Sequence, residues 1–447
     1  MSDLKNRIRE LIDRQQWQEL RREAWDEWLI PDIVDALMGL NKKDRVLAFR
    51  LIPREMSAEV FAYLEKEDRN ALLKDLTDEE TRHLLADLRP DDRTNLFEEM
   101  PGQVTQRLVN LLSPDDLKET RFLLGYPEFS VGRLMTPDYV AVRPDWTVAQ
   151  ALEHCREKGK NSETLNTIYV TDDSWKLLDA LELTSFILAE PGDRVKDLMN
   201  YSFVSLSAFD EQEKAVWIME KYDLYSLPVV DSSGILIGLV TFDDVFDVAL
   251  EEATEDIYKG AAVTPLTTSY REASIFELYS KRVGWLVVLV FVSLISSGVV
   301  AVFEGTLQKV ITLTVFIPLL LGSGGNAGAQ SATLMVRALA TGDITVNQWL
   351  TALLKEIVVG VSLGLTLGLV STVFGLIRGG WVIGLIVGLT MIGIILVASL
   401  IGISLPFVLT RLKLDPAVAS NPLITSVTDV MGLLIYFLIA GMVLRSL

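Results

Sequence analysis

The sequence predicts a multidomain integral membrane protein: an all-α N-terminal superhelical domain, a tandem α/β pair, an acidic connecting helix and a five-helix transmembrane domain. Three observations carry that prediction. Charge is divided unevenly, with 10 Lys/Arg and 7 Asp/Glu from residue 271 onward against a net −22 over residues 1–270. The acidic part holds a repeat of about 12 residues and then one of 64. The nearly uncharged part divides into five apolar segments, each close to the ~20 residues needed to cross a hydrocarbon core. The expected boundaries are 1–130, 131–194, 195–248, 243–270 and 271–447.

A chain of 447 residues has room for about three domains. Acidity this strong repels phosphate backbones, which argues against nucleic acid as a partner and suits cations. The single Cys155 cannot form an intramolecular disulfide and fits a reducing compartment. His83 and His154 with one Cys cannot build a Cys/His zinc site. The opening MSDLKNRIRELIDRQQW reads as a charged amphipathic helix without the apolar core of a signal peptide.

In the first domain LIPREMSAEVF, LEKEDRNALL, LTDEETRHLL, LRPDDRTNLF, MPGQVTQRLV and LSPDD begin at 51, 64, 76, 88, 100 and 112. Each unit is a Leu or Met, a polar turn cluster and a helix expected to run under two turns. Such helices are unstable alone and must stack as a solenoid. Asp68, Asp78, Asp91, Asp92, Asp115 and Asp116 fall where N-caps are expected, and for any one of them capping outweighs metal binding.

From Val131 strands alternate with helices, twice. GRLMTPDYVAVRPDWTVAQAL is echoed 64 residues later by KDLMNYSFVSLSAFDEQEKAV, aligning Met135 with Met199, Val140 with Val204 and Ala151 with Ala215. The copies continue into the strands NTIYVTDD and YSLPVVDSSGILIGLVTFDD. Together they resemble a tandem cystathionine-β-synthase (CBS) pair, the resemblance resting on LPVVDSSGILIGLVTFDDV in the second copy. In the first copy DSSGILIGLVT has become DSWKLLDALELT, and the lost glycines argue against a nucleotide site in that half.

The connecting helix, TFDDVFDVALEEATEDIYK, has seven carboxylates between Asp243 and Asp256 and no intervening base. On a helical wheel Asp244, Asp247, Glu251 and Glu255 form one stripe, and Phe246, Leu250, Ala253 and Ile257 the opposite one. Charged runs are usually solvated faces. Like charges at i,i+4, however, destabilise a helix by a few tenths of a kcal/mol per pair, and here no Lys offsets them. Such a stripe invites divalent cations, which favour carboxylate oxygens.

Five spans are expected near 284–303, 311–336, 357–377, 381–409 and 423–444. With the soluble half in the cytoplasm, Arg271, Lys281, Arg282, Arg337, Lys355, Arg411 and Lys413 lie inside and Lys309, Arg378 and Arg445 outside. That bias obeys the positive-inside rule, and an odd span count leaves the C-terminus outside. In LLLGSGGNAGAQSAT, after Pro318, glycines are expected to loosen the helix beside Asn326 and Gln330 and expose carbonyls to a wet cavity; close packing through small residues is the alternative. Asp429 is the one ionisable residue between Pro422 and Leu444. A carboxylate at the bilayer centre costs about 2.5–3.5 kcal/mol, so it should face a partner, water or an ion. Asn421, Thr425, Thr428, Asp429 and Gly432 share one face, read here as a wet stripe lining a cation path.

With PLLLGSGGNAGAQSAT and DPAVASNPLITSVTDVMGLLIY both present, the chain resembles the bacterial MgtE-type magnesium channels along essentially its whole length. The resemblance implies a homodimer in the inner (plasma) membrane, surrounded by lipid, passing Mg2+ between the second and fifth spans of two protomers. It places Asp429 at the pore carboxylate, with Asn326 and Asn421 near the path. It places Glu59, Asp91, Glu213, Asp223, Asp244, Asp247, Glu252, Glu255 and Asp256 at cytosolic Mg2+-sensing positions, and it brings ATP into question as a ligand of the CBS pair. Asn95 and Glu211 depart from the expected Asp, which weakens those sensor positions. Oxygen donors suit a partly hydrated Mg2+ and would also admit Mn2+ or Co2+.

An ion-coupled exporter and a membrane-anchored nucleotide sensor are the competing readings. Coupling needs further intramembrane ionisable groups, and only Glu304 and Glu356 flank the spans. A passive anchor has no use for a buried Asp. An enzyme is least expected, since neither a GxxxxGK[ST] loop nor a nucleophile–base pair is present.

Overall fold

Stacked short helices open the chain, as its repeat requires. The computed structural model describes residues 2–21, 25–266, 270 and 273–446. Helices span Arg54–Ala62, Lys66–Asp75, Asp78–Asp87, Pro90–Glu99, Gly102–Val109 and Pro114–Leu123. The apolar residues heading the four middle repeats, Leu64, Leu76, Leu88 and Met100, are buried at helix junctions, and the outer two, Leu51 and Leu112, are half-buried. These helices hold 8 to 10 residues, longer than the two turns expected.

The six aspartates expected as caps do not cap them. N-caps are Glu65, Thr77, Arg89, Pro101 and Ser113, and Asp68, Asp78, Asp91, Asp92, Asp115 and Asp116 lie inside the first turn. There they complement the positive end of the helix dipole. Side-chain capping falls to Thr77 and Ser113, whose oxygens accept from Glu80 N and Asp116 N.

Arginines cross-link helices more than one repeat apart, pairing Arg45 with Asp68, Arg69 with Glu99, Arg54 with Asp87 and Arg107 with Asp78. Arg93 is buried and donates to Thr120 Oγ1, Leu85 O, Asp116 Oδ1 and Glu119 Oε2.

Two copies of one α/β unit follow. In the first, β1 (Ala141–Val142) pairs parallel with β2 (Thr167–Thr171), which pairs antiparallel with β3 (Leu177–Glu182). In the second, β4 (Leu206–Ser207), β5 (Ser226–Val230) and β6 (Leu236–Thr241) repeat this order, and both hairpins slip register at the equivalent step. The copies join turn to turn, Leu177 N donating to Gly234 O at 3.1 Å and Leu236 N to Trp175 O at 2.9 Å.

The first copy's departures are visible here. Trp175 holds φ 63° where Gly234 holds φ 80°, with the Arg143 guanidinium 4.6 Å over its ring. Asp179 occupies the register position of Gly238. At Gly238 a Cβ would lie 2.8 Å from Thr136 O, so backbone packs on backbone. In the first copy buried Asp179 instead accepts from Asn200 N and Tyr201 N at 2.8 and 2.9 Å.

The acidic helix runs unbroken from Phe242 to Gly260. Val245 and Val248 are its buried apolar residues, while Phe246, Leu250 and Ile257 of the apolar stripe are exposed. The helix crosses the boundary between two compact units, Met1–Leu250 and Glu251–Leu447.

The second unit carries the apolar helices Ile275–Val302, Ile317–Ala340, Trp349–Arg411 and Asn421–Ser446. A straight helix of 63 residues would extend ~95 Å, three times the hydrocarbon core. This one turns at Gly380 (φ 75°, ψ −174°), a conformation L side chains resist, so its two arms bring the spans to five. The arms pack antiparallel through small residues, Gly360 on Leu396, Gly364 on Ile392, Gly368 on Gly388 and Gly375 on Gly384. Arg271, counted among the inner charges, lies outside the described residues.

The second span corrects two expectations. Residues 311–316 form a 3₁₀ turn, and the α-helix starts at Ile317 with Pro318 in its first turn, where no N–H is missed. The glycine run is continuous α-helix and exposes no carbonyl ladder. Gly324 faces Ile394, Gly325 faces Thr425, and Gly328 faces Ala398 O, Ile424 and Thr428, so the glycines admit neighbouring helices.

Arg93 and Arg54 test the cross-links. Removing one partner from a buried ionic network costs about 3–5 kcal/mol, and an exposed pair contributes under about 1 kcal/mol. Arg93→Ala should lower the urea midpoint of the soluble helices strongly and Arg54→Ala barely. Equal midpoints for the two variants would show that burial does not set the strength of these links.

Candidate cation sites

The last span lies antiparallel to the second, joined by hydrogen bonds at both ends. Thr333 Oγ1 donates to Asn421 Oδ1 at 3.3 Å, and the buried Tyr436 hydroxyl donates to Leu313 O at 2.8 Å. Between these pins Gly325 meets Thr425 and Gly432 meets Leu321. Asp429 falls in the same stretch, half-buried, and among the described residues it has no hydrogen bond or ion pair. Asn421 and Asn326 are exposed.

The expected wet stripe is therefore divided. Thr425, Thr428 and Gly432 pack on neighbouring helices, Thr428 buried with its hydroxyl donating to Thr425 O. Asn421 and Asp429 remain unburied by that packing.

In the soluble unit, Asp91 and Asp244 come together although far apart in sequence. Asp91 is buried, its Oδ1 without a hydrogen-bond partner among the described residues, on the first turn of the Pro90–Glu99 helix. Asp244, on the first turn of the acidic helix, accepts from Thr241 Oγ1 at 2.7 Å. Burial, then the charge of Asp92, pushes Asp91 up to about 7. Burial, then the charge of Asp91, pushes Asp244 up to about 8. Burial also raises Asp92, with Asp243 and Glu59 adding repulsion against Arg89 and Arg69.

The other expected sensor residues are dispersed. Glu213 is exposed on the first turn of the Gln212–Tyr222 helix, and Asp223 sits at its far end in a left-handed conformation. Asp247 is exposed, its carboxyl raised by burial and Asp243. Glu255 and Asp256 lie near the end of the acidic helix, with Glu252 one turn earlier. There Lys259 Nζ bridges Glu255 Oε1 at 2.7 Å and Asp415 Oδ2 at 2.5 Å. Burial, then Asp415, raises Asp256.

Among the described residues no three Asp, Glu, His or Cys side chains converge on one point. A cation here would need water or backbone oxygens to complete its shell, a condition Mg2+ meets because it keeps several waters. Sequence reasoning missed Asp243 and Asp415 as members of these clusters. The motif DPAVASNP held the signal for Asp415, a carboxylate immediately before the last span.

A helical domain, a paired α/β module and a bundle of apolar helices, one carrying a carboxylate without a partner among the described residues, define the class as a multidomain membrane protein with a polar site in its bundle. Family models agree by region: the MgtE intracellular N domain at 30–129, CBS domains at 131–189 and 195–251, and the MgtE divalent cation transporter at 317–439. The chain is 41% identical over 330 residues to magnesium transporter MgtE of Thermus thermophilus, covering 73% of each. It is 32% identical to magnesium transporter MgtE of Bacillus subtilis, covering 74% of this chain and 73% of that one.

The chain belongs to the MgtE family of magnesium transporters. Its soluble region is similar to the crystal structure of the cytosolic domain of the Mg2+ channel MgtE in complex with ATP, at 34% identity and TM-score 0.52, over 54% of this chain and 98% of that one. The soluble part of a magnesium transporter matches at 25% identity and TM-score 0.54, over 57% and 99%.

Raised carboxyls set a pH dependence. Folded Asp91 and Asp244 keep protons up to about 7 and about 8, whereas the ordinary Asp value is 3.8. The folded state therefore binds more protons than the unfolded state between those values, and stability falls as pH rises through the window. The slope is at most about 1.4 kcal/mol per pH unit per group. In EDTA, the thermal midpoint of the soluble unit should drop from pH 5 to pH 8, and Asp91→Asn should flatten the slope. A midpoint that rises over this range contradicts the assignment.

Proposed function

We propose that this chain is a Mg2+-selective channel: a homodimer in a bacterial plasma membrane, soluble unit in the cytoplasm and C-terminus outside, admitting divalent cations passively. The carrying observation is Asp429, a half-buried carboxylate in a membrane helix without a protein partner among the described residues. Its insertion cost has no protein charge to offset it, so a passing cation supplies the missing charge. One carboxylate per protomer, with Asn326 and Asn421 offering amide oxygens, suits an ion that retains most of its water. Mn2+ and Co2+ find the same oxygens.

Cytosolic Mg2+ closes this channel by replacing protons and repulsion with bridging charge. Asp91 and Asp244 form the best-supported sensor, because burial raises both carboxyls and the charge of Asp91 raises Asp244 further in a shielded site. Glu59, Glu213, Asp223, Asp247, Glu252, Glu255 and Asp256 supply further, weaker ligands through water. Shifting a gate from 1:99 to 99:1 takes about 5.5 kcal/mol. A site filled at ten times its dissociation constant contributes about 1.4 kcal/mol, so about four such sites suffice. ATP is assigned to the half of the CBS pair that keeps Gly234 and Gly238, following the ATP-bound relative.

Two experiments test this reading. Asp429→Ala, reconstituted in liposomes, should lose Mg2+ uptake while folding normally, and wild-type uptake should be unchanged by a proton gradient. Uptake that follows the proton gradient would mean an exchanger. Neutralising Asp244, Asp247, Glu252 and Glu255 together should leave patch currents open at high cytosolic Mg2+. Closure at the wild-type Mg2+ concentration would reduce the acidic helix to a charged connector.

A further inference from the structure

The small-residue face of the third span has one interruption. Ala352, Gly360, Gly364 and Gly368 are buried at four-residue spacing, and Glu356 takes the place between the first two. At the glycines the next arm comes within backbone range, Gly360 against Leu396 and Ser399, Gly364 against Ile392. At Glu356 the side chain reaches the second span instead, where Ser331 Oγ donates to Glu356 Oε1 at 2.6 Å. Among the described residues Ser331 is the one partner of this carboxylate.

Ser331 is itself buried, at a point where three spans meet. A Cβ on Gly402 of the fourth span would lie 3.0 Å from Ser331 Cβ and 2.2 Å from Gly328 O. One turn beyond Glu356, the Ser399 hydroxyl is fully buried against Gly360 and has no hydrogen-bond partner among the described residues. An apolar side chain would fill this position without the cost of burying a charge. What a carboxylate adds is a short, directional, charge-assisted hydrogen bond.

Ser331 follows Asn326 by five residues, about 140° around the helix and ~7.5 Å along it. The two residues therefore lie on different faces, Ser331 buried and Asn326 exposed. A bond that fixes Ser331 fixes both the height and the rotation of Asn326. Gly325 and Gly328 carry the same constraint to Thr425 and Thr428, on the turn before Asp429.

We infer that Glu356 is a positioning residue for ion passage, holding the second span through Ser331 so that Asn326 and Asp429 keep their spacing. This rests on reading those two residues as the ion path. The test is Mg2+ uptake by full-length protein in liposomes, recording maximal rate, half-saturating concentration and the Mg2+/Ca2+ rate ratio. Variants are matched for detergent elution with wild type.

Glu356→Gln still accepts from Ser331 through a neutral bond of about half the strength and should stay within about threefold of wild type, since the acceptor and its direction survive. Glu356→Ala and Ser331→Ala should each lose about tenfold in maximal rate or in the rate ratio, the scale of one charge-assisted hydrogen bond. The double variant should be no worse than either single one. Glu356→Gln as impaired as Glu356→Ala overturns the inference, because the charge itself would then act on the ion or a proton. A wild-type Ser331→Ala overturns it as well. If the Ala variants do not fold, Glu356→Gln alone decides between the two roles. Uptake by Asp429→Ala overturns the ion-path reading and this inference together, whereas a dead Asp429→Ala beside a wild-type Ser331→Ala overturns this inference alone.

Discussion

Carboxylates held away from water without a paired base are the constraint on which this molecule turns. Asp91 and Asp244 are both shielded, each sits on the first turn of a helix, and neither has a salt bridge among the described residues. Helix dipoles favour negative charge at those positions, but two such charges in one shielded place repel. Protons relieve the repulsion in acid, and a divalent cation would relieve it near neutrality. This place therefore favours neutral over ionised carboxyls.

The same domain shows how other acidic residues are treated. Arg45, Arg54, Arg69, Arg93 and Arg107 each neutralise carboxylates on another helix of the stack. These links tie helices that are too short to stand alone. Basic residues are therefore spent on the scaffold. The acidic helix has just Lys259, and that side chain turns toward Asp415.

Lys259 matters because of what Asp415 does. The Asp415 Oδ1 atom accepts from Ala417 N at 2.8 Å, capping the turn Pro416–Val418 that leads into the last span. The end of the acidic helix is therefore hydrogen-bonded to the approach of the helix that carries Asp429. Within the membrane, small residues bring backbones into contact and leave little free volume. Polar hydrogen bonds at Asn421, Tyr436 and Ser331 add to that packing.

Much of this was legible in the residues. The 12-residue repeat marks helices because each needs one large apolar pivot, and the 64-residue echo marks a duplicated unit. Apolar length marks spans, and a lone Asp429 in such a run marks a polar site. Period and length are local, so they show which face is apolar without showing what covers it. Only the tertiary structure decided that the glycines of the second span pack helices, and that Phe246, Leu250 and Ile257 face outward. It also decided that Asp91 meets Asp244 and Ser331 meets Glu356, since hydrogen bonds and charge repulsion depend on distance in space, which chain separation does not reveal.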